Sequence, residues 1–366
     1  MRPEPPGPPR PAPALAAPGP PRPAPAAPGS PRPAPAAPGP PRRAPAPAVP
    51  GSPRPAPAPA VPGPPRPAPR PRGPRAAGAA TAALVRAHDA PGPTLVLRAD
   101  HLPPGALALG GELAWLRRAL AGTPYAGIGK IALYGAAAHP ARLDHRFVQA
   151  LPVGGFDFRA GCGHSLLACV VADGRPGPVT VRAVTTGDTV LCVPEPRRDA
   201  YTLHFLRPPT APGTLPTGRP VDLLDGTPVS LVRYGNPYVF VDARHLPGEN
   251  LRERLEGLRA HAARLLGHPP HSALPKIAAF TAGPGGIAVR ALTVGGWHPR
   301  LALTGAAALA AAGALEGTVV PPVEGEVRTP GGTVTVSTGP DRVRVHHKRA
   351  ELLERLVLPW RVHATA

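Results

Sequence analysis

The sequence predicts an α+β protein made of two pseudo-symmetric halves, each a mainly antiparallel or mixed β-roll around a central apolar helix. The first observation behind this prediction is an internal repeat. Residues 95–103 and 238–247 are apolar strands that run into His-Leu-Pro, and each is followed by a strand that opens with a lysine, Lys130 or Lys276. The second observation is that each copy then reaches a segment of Ala and Leu with few charges, near His164 and Thr304. Helices of that composition are usually buried.

The first 78 residues differ from the rest in composition. They consist largely of Pro, Ala, Arg and Gly, and a Pro-Gly-Pro-Pro-Arg phrase recurs along them. Because proline fixes φ and has no amide hydrogen, this segment cannot build helices or sheet ladders. We expect a disordered arm rich in polyproline II, which could make weak contacts with anionic polymers or SH3-like grooves. The alternatives are a passive tail or an over-extended gene start.

The net charge is unevenly distributed. The chain carries a formal charge of +19, and the arginines of the arm account for about +10 of it. The remaining body is therefore only moderately basic, and we expect it to bind no nucleic acid. We expect the body to act as a monomer or a homodimer.

The sequence also indicates where the protein acts. It has no run of 18 or more apolar residues that could span a membrane, and its N-terminus lacks the apolar region of a signal peptide. The three cysteines, Cys162, Cys169 and Cys192, leave one thiol unpaired however they pair. A reduced, cytoplasmic protein is the simplest expectation.

Beyond the arm, we expect two domains. The first spans 79–210 and contains the helix near Cys162, and a C-terminal segment of the chain could pack back on it. The second spans 211–366 and contains the helix near Thr304. The boundary falls where Pro, Thr and Gly accumulate, around Leu215-Pro-Thr-Gly218.

The individual elements follow from local patterns. Short β-branched segments bounded by Gly, Pro or Asp are predicted strands: residues 94–97, 130–134, 179–184, 189–193, 230–232, 238–241, 276–280, 287–292, 325–329 and 333–338. Apolar residues spaced three to four apart predict helices: residues 111–121, 164–172, 250–266, 304–312 and 348–356. Pro103 and Pro247 suit positions just before two of these helices.

Cys162 is the first candidate for chemistry. It lies between Gly161 and Gly163, immediately before an apolar helix. The positive end of the helix and its free N–H groups favour a thiolate, and the same N–H groups could hold a substrate carboxylate. A buried cysteine of no chemical consequence is the alternative, and it suits Cys169 better. A metal site formed by Cys162, His164 and Cys169 is a poor alternative, because no second pair with matching spacing exists.

Lys130 is the second candidate. It opens a strand that is otherwise apolar, and Lys276 is its counterpart in the other half. Either lysine could handle a proton or hold a carboxylate. The alternative is a strand-end lysine with its ammonium in water. The pattern alone does not separate the two lysines.

At these positions the chain resembles the 2-methylaconitate cis–trans isomerase (PrpF) family. The resemblance covers the body from about residue 80 onward and none of the arm. The motifs that carry it are Gly161-Cys-Gly163, Leu215-Pro-Thr-Gly218, Tyr234-Gly-Asn-Pro237, His298, Thr304-Gly-Ala306, Glu316-Gly-Thr-Val319 and Thr329-Pro-Gly-Gly332.

The resemblance implies a diaminopimelate-epimerase-like fold with its site between two domains. It implies an isomerase that works without a cofactor and shifts a proton or isomerises a double bond in an unsaturated di- or tricarboxylate. The family's catalytic cysteine corresponds to Cys162 and its catalytic lysine to Lys130. The substrate-binding residues expected with them are Arg86, Gly163, His164, Asn236, His298, Thr304 and Gly305.

The chain also departs from that family. The early Arg-Gly-Gly-Thr-Ser-Lys-Gly phrase is here Arg86-Ala-His-Asp-Ala-Pro-Gly92, and Asn-Cys-Gly-Asn is here Gly161-Cys-Gly-His164. Several groups that would bind carboxylates are thus replaced, which favours a different substrate. The alternative is a catalytically lapsed protein that still binds a small carboxylate.

The number of cysteines also differs from that of the related epimerases. In epimerases of this kind both halves present a cysteine, whereas here Thr304 stands at the second position. A single thiol predicts that the enzyme moves a proton along its substrate instead of inverting a carbon centre.

Overall fold

The computed structural model describes residues 80–358 except positions 104, 138, 140, 153, 197, 198, 270 and 271. The predicted arm, residues 1–78, lies outside the described residues. Those described belong to one compact unit. No helix among them combines the length and the apolarity that a membrane crossing needs.

The first half consists of eight strands and two helices. These are β1 (Ala80–Ala87), β2 (Thr94–Arg98), α1 (Ala106–Leu120), β3 (Lys130–Ala136), β4 (Arg142–Ala150), β5 (Phe156–Asp157), α2 (Gly163–Asp173), β6 (Val179–Ala183), β7 (Thr189–Pro194) and β8 (Ala200–Phe205). The strands β2 and β3 pair in parallel, as do β4 and β6, and the other neighbours pair antiparallel. The result is the mixed sheet that the sequence predicts.

The second half repeats this order after the short strand β9 (Asp222–Leu224). Its elements are β10 (Thr227–Tyr234), β11 (Asn236–Asp242), α3 (Leu251–Leu265), β12 (Lys276–Gly283), β13 (Gly286–Thr293), β14 (Gly296–Trp297), α4 (Leu303–Gly313), β15 (Gly325–Thr329), β16 (Gly332–Thr338) and β17 (Val343–Leu358). Again β11 pairs in parallel with β12, and β13 with β15. The internal repeat seen in the sequence is therefore a repeat of topology.

The last strand joins the two halves. β17 pairs antiparallel with β16 of the second half and with β8 and β1 of the first. Pairing of β17 with both β8 and β1 closes the first half into a barrel of strands around α2. The sheet therefore runs through both halves without interruption.

The core holds α2 and α4 together. Both helices belong to one hydrophobic cluster with side chains of the surrounding strands. The helix α4 is almost entirely Ala, Leu and Gly, and its first ten residues are buried. Small side chains are needed there because a Cβ on Gly313 would lie 2.6 Å from the backbone oxygen of Pro321. The outer helices α1 and α3 each cover the other face of their own sheet with a leucine-rich stripe.

One predicted element is wrong. Residues 348–356 are not a helix but the C-terminal part of β17. Their backbone pairs with β1, in a register that runs from Ala87 opposite Ala350 to Ala80 opposite Leu358. The local 3–4 spacing is overridden because β1 needs this strand as its partner, a long-range pairing that local propensity does not encode. The other four predicted helices are confirmed, with ends shifted by one to five residues.

Candidate active site

Two buried helices begin where the halves meet. Cys162 precedes α2 and Ala302 precedes α4, and each accepts the first helical bond, from Leu166 and Ala306 respectively, at 2.9 Å. Neither residue caps its helix with a side-chain hydrogen bond. The first N–H groups of both helices are therefore not satisfied by a cap and are oriented to bind an anion.

The two helix starts correspond in a way that sequence comparison missed. Five residues separate β5 from α2, and five separate β14 from α4. When the two halves are aligned on these strands and helices, Cys162 corresponds to Ala302. Thr304 then corresponds to His164 and not to Cys162. The pairing of Cys162 with Thr304 drawn from the sequence is therefore shifted by two residues. The second half still presents no thiol at the corresponding helix start.

Glycines allow the two helix starts to approach closely. A Cβ on Gly163 would lie 2.6 Å from Cδ2 of Leu303, and a Cβ on Gly305 would lie 2.6 Å from the phenol oxygen of Tyr238. Contacts this short do not occur between real atoms, so a larger residue at either position requires the surroundings to move. Gly163 is thus part of the packing between the halves, whereas Gly305 packs against Tyr238 and Leu301 within the second half.

Asn236 fixes the loop that carries the thiol. Its Oδ1 accepts the N–H of Gly161 at 2.7 Å, and its Nδ2 donates to the carbonyl of Gly161 at 2.8 Å. Nδ2 also reaches the hydroxyl of Thr304 at 3.4 Å, and that hydroxyl bonds the phenol of Tyr238. Asn236 is buried and was predicted to bind substrate; in the structure it joins the loop before α2 to the first turn of α4.

The three cysteines are free thiols with different surroundings. Cys169 and Cys192 are fully buried, and burial raises the pKa of each thiol well above its usual value. Cys162 is partly exposed and packs against an apolar cluster that contains Phe147 and Leu274, one residue from each half. It also borders a small cavity of about 20 Å³. Only Cys162 is thus placed to meet a reagent or a substrate.

The two lysines of the repeat converge on this thiol. Lys130 opens β3 and Lys276 opens β12, and both lie close enough to Cys162 to interact with it electrostatically. Lys130 is buried, and its ammonium donates to the carbonyl of Gly92 at 3.4 Å. Burial lowers the pKa of both lysines, to about 8 for Lys276. Lys276 also lines a cleft of about 240 Å³.

His164 and His298 form a buried, stacked pair beside Lys130. Their ring centroids are 6.1 Å apart and their planes differ by 17°. Burial lowers both pKa values, to about 4 for His298, and the nearby Lys130 lowers them further. The N–H of Arg300 donates to Nδ1 of His298 at 3.2 Å, so the neutral ring carries its hydrogen on Nε2. Nε2 of His164 has no hydrogen-bond partner among the described residues.

Arg86 is placed differently from the other predicted residues. It is exposed on β1, between Val85 and Ala87, both buried in the cluster around α2. Because side chains alternate along a strand, Arg86 points away from that core. Among the described residues, no hydrogen bond or ion pair joins Arg86 to Cys162 or Lys130. Arg300 and Lys348, which both bind Asp89, are the cations that lie near the histidine pair instead.

Sequence analysis named Lys276 but did not include it in the site, and it missed Tyr238. Lys276 could have been chosen from its position in the repeat, since it mirrors Lys130. Tyr238 carries no such signal, because an aromatic residue at the start of a strand most often belongs to the core. In the described part of the chain, no group of three or more His, Cys, Asp or Glu side chains is placed to hold a metal ion.

Comparison with known proteins identifies the fold. The chain is similar to a methylitaconate-delta-isomerase, with a TM-score of 0.54 and 19% identity over 76% of this chain and 95% of that one. It is also similar to a hydroxyproline epimerase from Agrobacterium vitis, solved with trans-4-hydroxy-L-proline bound, with a TM-score of 0.51 and 16% identity over 76% and 91% of the two chains. No family model and no curated protein sequence matches. At these identities the likeness shows the fold alone, and it is consistent with the epimerase-like fold that the resemblance implied.

Proposed function

We propose that the protein is a cofactor-independent isomerase that moves a proton along an unsaturated di- or tricarboxylate. The observation that carries this proposal is the environment of Cys162. It is a partly exposed thiol at an uncapped helix start, with the strand-opening lysines of both halves close enough to interact with it. A base beside two cations at a helix N-terminus is suited to removing a proton from a carbon next to a carboxylate.

The proton transfer has two steps. The Cys162 thiolate removes a proton from the carbon α or γ to a carboxylate: the C–H bond breaks, an S–H bond forms, and the electron pair spreads over a dienolate. The Lys130 ammonium then gives a proton to the other end of that dienolate, which moves the double bond. The thiol proton returns to the Lys130 amine, restoring thiolate and ammonium. No external oxidant or reductant is needed.

The carboxylates of the substrate would be held by backbone N–H groups, a neutral histidine ring and a lysine. The free N–H groups at the starts of α2 and α4, including those of Gly163 and Gly305, can bind one carboxylate and the developing enolate oxygen. The Nε2–H of the neutral His298 ring is a further donor. The ammonium of Lys276 would hold a second carboxylate from the opposite half.

The number of thiols favours isomerisation over epimerisation. Inverting a carbon centre requires bases on both faces of the substrate, whereas only one helix start here carries a thiol. Of the two similar structures, the methylitaconate-delta-isomerase is named for a double-bond shift in an unsaturated dicarboxylate. We therefore expect substrates related to aconitate, itaconate or oxalomesaconate. Membership of the 2-methylaconitate isomerase family itself is part of this proposal.

Deuterium exchange tests the proposal directly. Each candidate acid is incubated with the protein in D₂O, and incorporation at the α and γ carbons is followed by NMR. We expect exchange into at least one acid, loss of exchange in Cys162→Ser, and a drop of about a hundredfold or more in Lys130→Ala. Cys169→Ser is the matched control, because that thiol is buried in the same helix. Full turnover by Cys162→Ser would show the mechanism to be wrong.

A lapsed binding protein is the second candidate. Two observations favour it: the polar groups of Asn236 and Thr304 bond each other and the backbone, and Arg86 is exposed away from the core. This candidate predicts that a tricarboxylate binds, measured by calorimetry, while no acid exchanges deuterium. It also predicts that Cys162 is no more reactive toward alkylating reagents than a free cysteine in a peptide.

A further inference from the structure

A second polar cavity lies apart from Cys162 and is not used by the proposed isomerisation. Its volume is about 330 Å³, the size of many small-molecule sites. It is bounded by the turn between β1 and β2, the strands β15 and β16, and the middle of β17. The residues that matter here are His88, Asp89, Arg300, Thr333 and Lys348.

This cavity has a counterpart in the first half. The small cavity beside Cys162 is lined by the matching elements: the loop before α2, β6, β7 and β8, and the turn between β10 and β11. There the strands contribute Val190, Leu203 and Phe205, and only about 20 Å³ remains. The corresponding place in the second half is wider, and its lining combines hydroxyl, imidazole and cationic groups with the carboxylates of Asp89 and Glu326. The two halves therefore differ here: the first is filled by apolar side chains and the second keeps a polar pocket.

An ion cluster forms the inner wall of the pocket. The Lys348 ammonium lies 2.6 Å from one oxygen of Asp89, and the Arg300 guanidinium lies 3.2 Å from the other. The Lys348 side chain is only 4% exposed. Two cations, those of Lys348 and Arg300, thus share one carboxylate. An ammonium and a guanidinium have eight N–H donors between them, more than one carboxylate can accept, so donors remain for a ligand.

The strand beside this cluster is distorted. His346 and His347 of β17 together oppose the single residue Thr202 of β8, which is a β-bulge. His347 has a φ of +56°, uncommon for a residue with a side chain, and Glu195 holds it by accepting from its N–H and bonding Nδ1, each at 2.8 Å. His346 is fixed by Ser337 at 2.7 Å. Strained backbone held this firmly is common at ligand sites, and here it lies directly before Lys348.

We propose that this pocket binds a small oxyanion, carrying a phosphate or carboxylate group, on Arg300 and Lys348. The donors of Arg300 and Lys348 are fixed by Asp89 before any ligand arrives, which reduces the entropy lost on binding. The hydroxyl of Thr333 at the pocket wall offers a further hydrogen bond. The proposed isomerisation gives neither cation a role, although both lie near the His164–His298 pair.

Calorimetry on the full chain tests this assignment, with inorganic phosphate and citrate titrated separately. We expect one binding event for at least one of the two anions, and the stronger of the two identifies the source of the oxyanion. Arg300→Gln should weaken binding by about tenfold, and Asp89→Asn should tighten it severalfold, because it frees two cations. The matched control is Arg252→Ala, an exposed arginine of α3, which should bind as the unchanged protein does.

Several results would overturn the proposal. One is that neither anion binds at concentrations up to roughly 20 mM, about the weakest affinity that would matter. Another is that Arg252→Ala loses as much affinity for the anion as Arg300→Gln does. A third is that Asp89→Asn binds the anion more weakly than the unchanged protein. The Arg300 side chain is 34% exposed, so Arg300→Gln should fold even if a change of the buried Lys348 does not. Cys162→Ser and Lys130→Ala should retain binding. Loss of binding in those two would place the anion at the helix starts, and would contradict this site without affecting the proposed isomerase.

Discussion

Lys130 and Lys276 open equivalent strands in the two halves of the protein, and both interact electrostatically with the same thiol, Cys162. Lys130 also contributes to the lowered pKa of Lys276. The internal repeat thus brings two equivalent lysines close to a single thiol, which has no counterpart in the second half. Because there is only one thiol, we expect the two lysines to have different roles.

The first prediction concerns Lys276, which we expect to hold a carboxylate. Burial lowers its pKa to about 8, so the ammonium loses its charge as the pH rises through that value. KM for a carboxylate substrate should therefore rise above pH 8 while kcat changes little. In Lys276→Arg the guanidinium stays charged and this rise should disappear. Steady-state kinetics from pH 6.5 to 9.5 measure both parameters.

A variant without charge completes that test. Lys276→Met should raise KM by about tenfold at pH 7, while the deuterium exchange of bound substrate persists. If Lys276→Met instead abolished exchange at saturating substrate, Lys276 would be a proton-transfer group and the roles of the two lysines would have to be exchanged.

The second prediction concerns the reactivity of the three thiols. Burial raises the pKa values of Cys169 and Cys192, whereas Cys162 is partly exposed at the start of a helix. The native protein at pH 7.5 should therefore take up one equivalent of iodoacetamide, at Cys162, and the denatured protein three. Intact-mass and peptide mass spectrometry read out the stoichiometry and the position. Equal labelling of Cys169 in the native protein would contradict the burial of α2.

Much of the fold follows from local patterns, because the repeat, the glycines and the Ala-rich helices are each visible within a few residues. The site is less predictable. Gly-Cys-Gly before an apolar helix places Cys162 correctly, yet the bond from Gly161 to Asn236 joins positions 75 residues apart. Long-range pairing also explains why the helix predicted for residues 348–356 is wrong: this segment is a strand whose partner, β1, lies at the other end of the described part of the chain. Neither segment alone contains a signal that specifies its distant partner.

The third prediction tests the close approach of the two helix starts. In Gly163→Ala the added Cβ would meet the side chain of Leu303 at 2.6 Å, which requires one helix to shift. We expect a loss of about 1–3 kcal/mol in the free energy of unfolding, and a larger loss of activity, since the N–H groups at the helix start move. Urea denaturation and the exchange assay measure these.

Gly111→Ala is the matched control for this prediction. Gly111 is exposed within α1 and has nothing within 4 Å of the added Cβ. The change should stabilise the protein by up to about 1 kcal/mol, since alanine favours the helix. Equal destabilisation by both changes would show that contact with Leu303 is not the cause.

The fourth prediction concerns Asn236 as the residue that positions the thiol loop. Asn236→Ala removes both bonds to Gly161 and leaves two partly buried backbone groups without that partner, at a cost of about 1–3 kcal/mol. Asn236→Asp retains the acceptor for the Gly161 N–H but sets an oxygen against the carbonyl, so we expect an intermediate cost. If Asn236 instead acted only by binding substrate, both variants would keep the melting temperature of the unchanged protein and differ only in KM.

The fifth prediction concerns the pH dependence of stability. Burial lowers the pKa of His298 to about 4, whereas in the unfolded chain it stays near 6.5. Between these values the unfolded state binds the proton and the folded state does not, so the free energy of unfolding falls as the pH decreases from 6.5 to 4. His298 alone would contribute up to about 3 kcal/mol of this decrease, and the buried His164 and His145 add to it.

His298→Gln should make this decrease in the free energy of unfolding smaller, whereas His245→Gln, a change at an exposed histidine, should leave it unchanged. Thermal unfolding at closely spaced pH values measures the slope, and equal slopes in the His298→Gln and unchanged proteins would mean that His298 is protonated in the folded state.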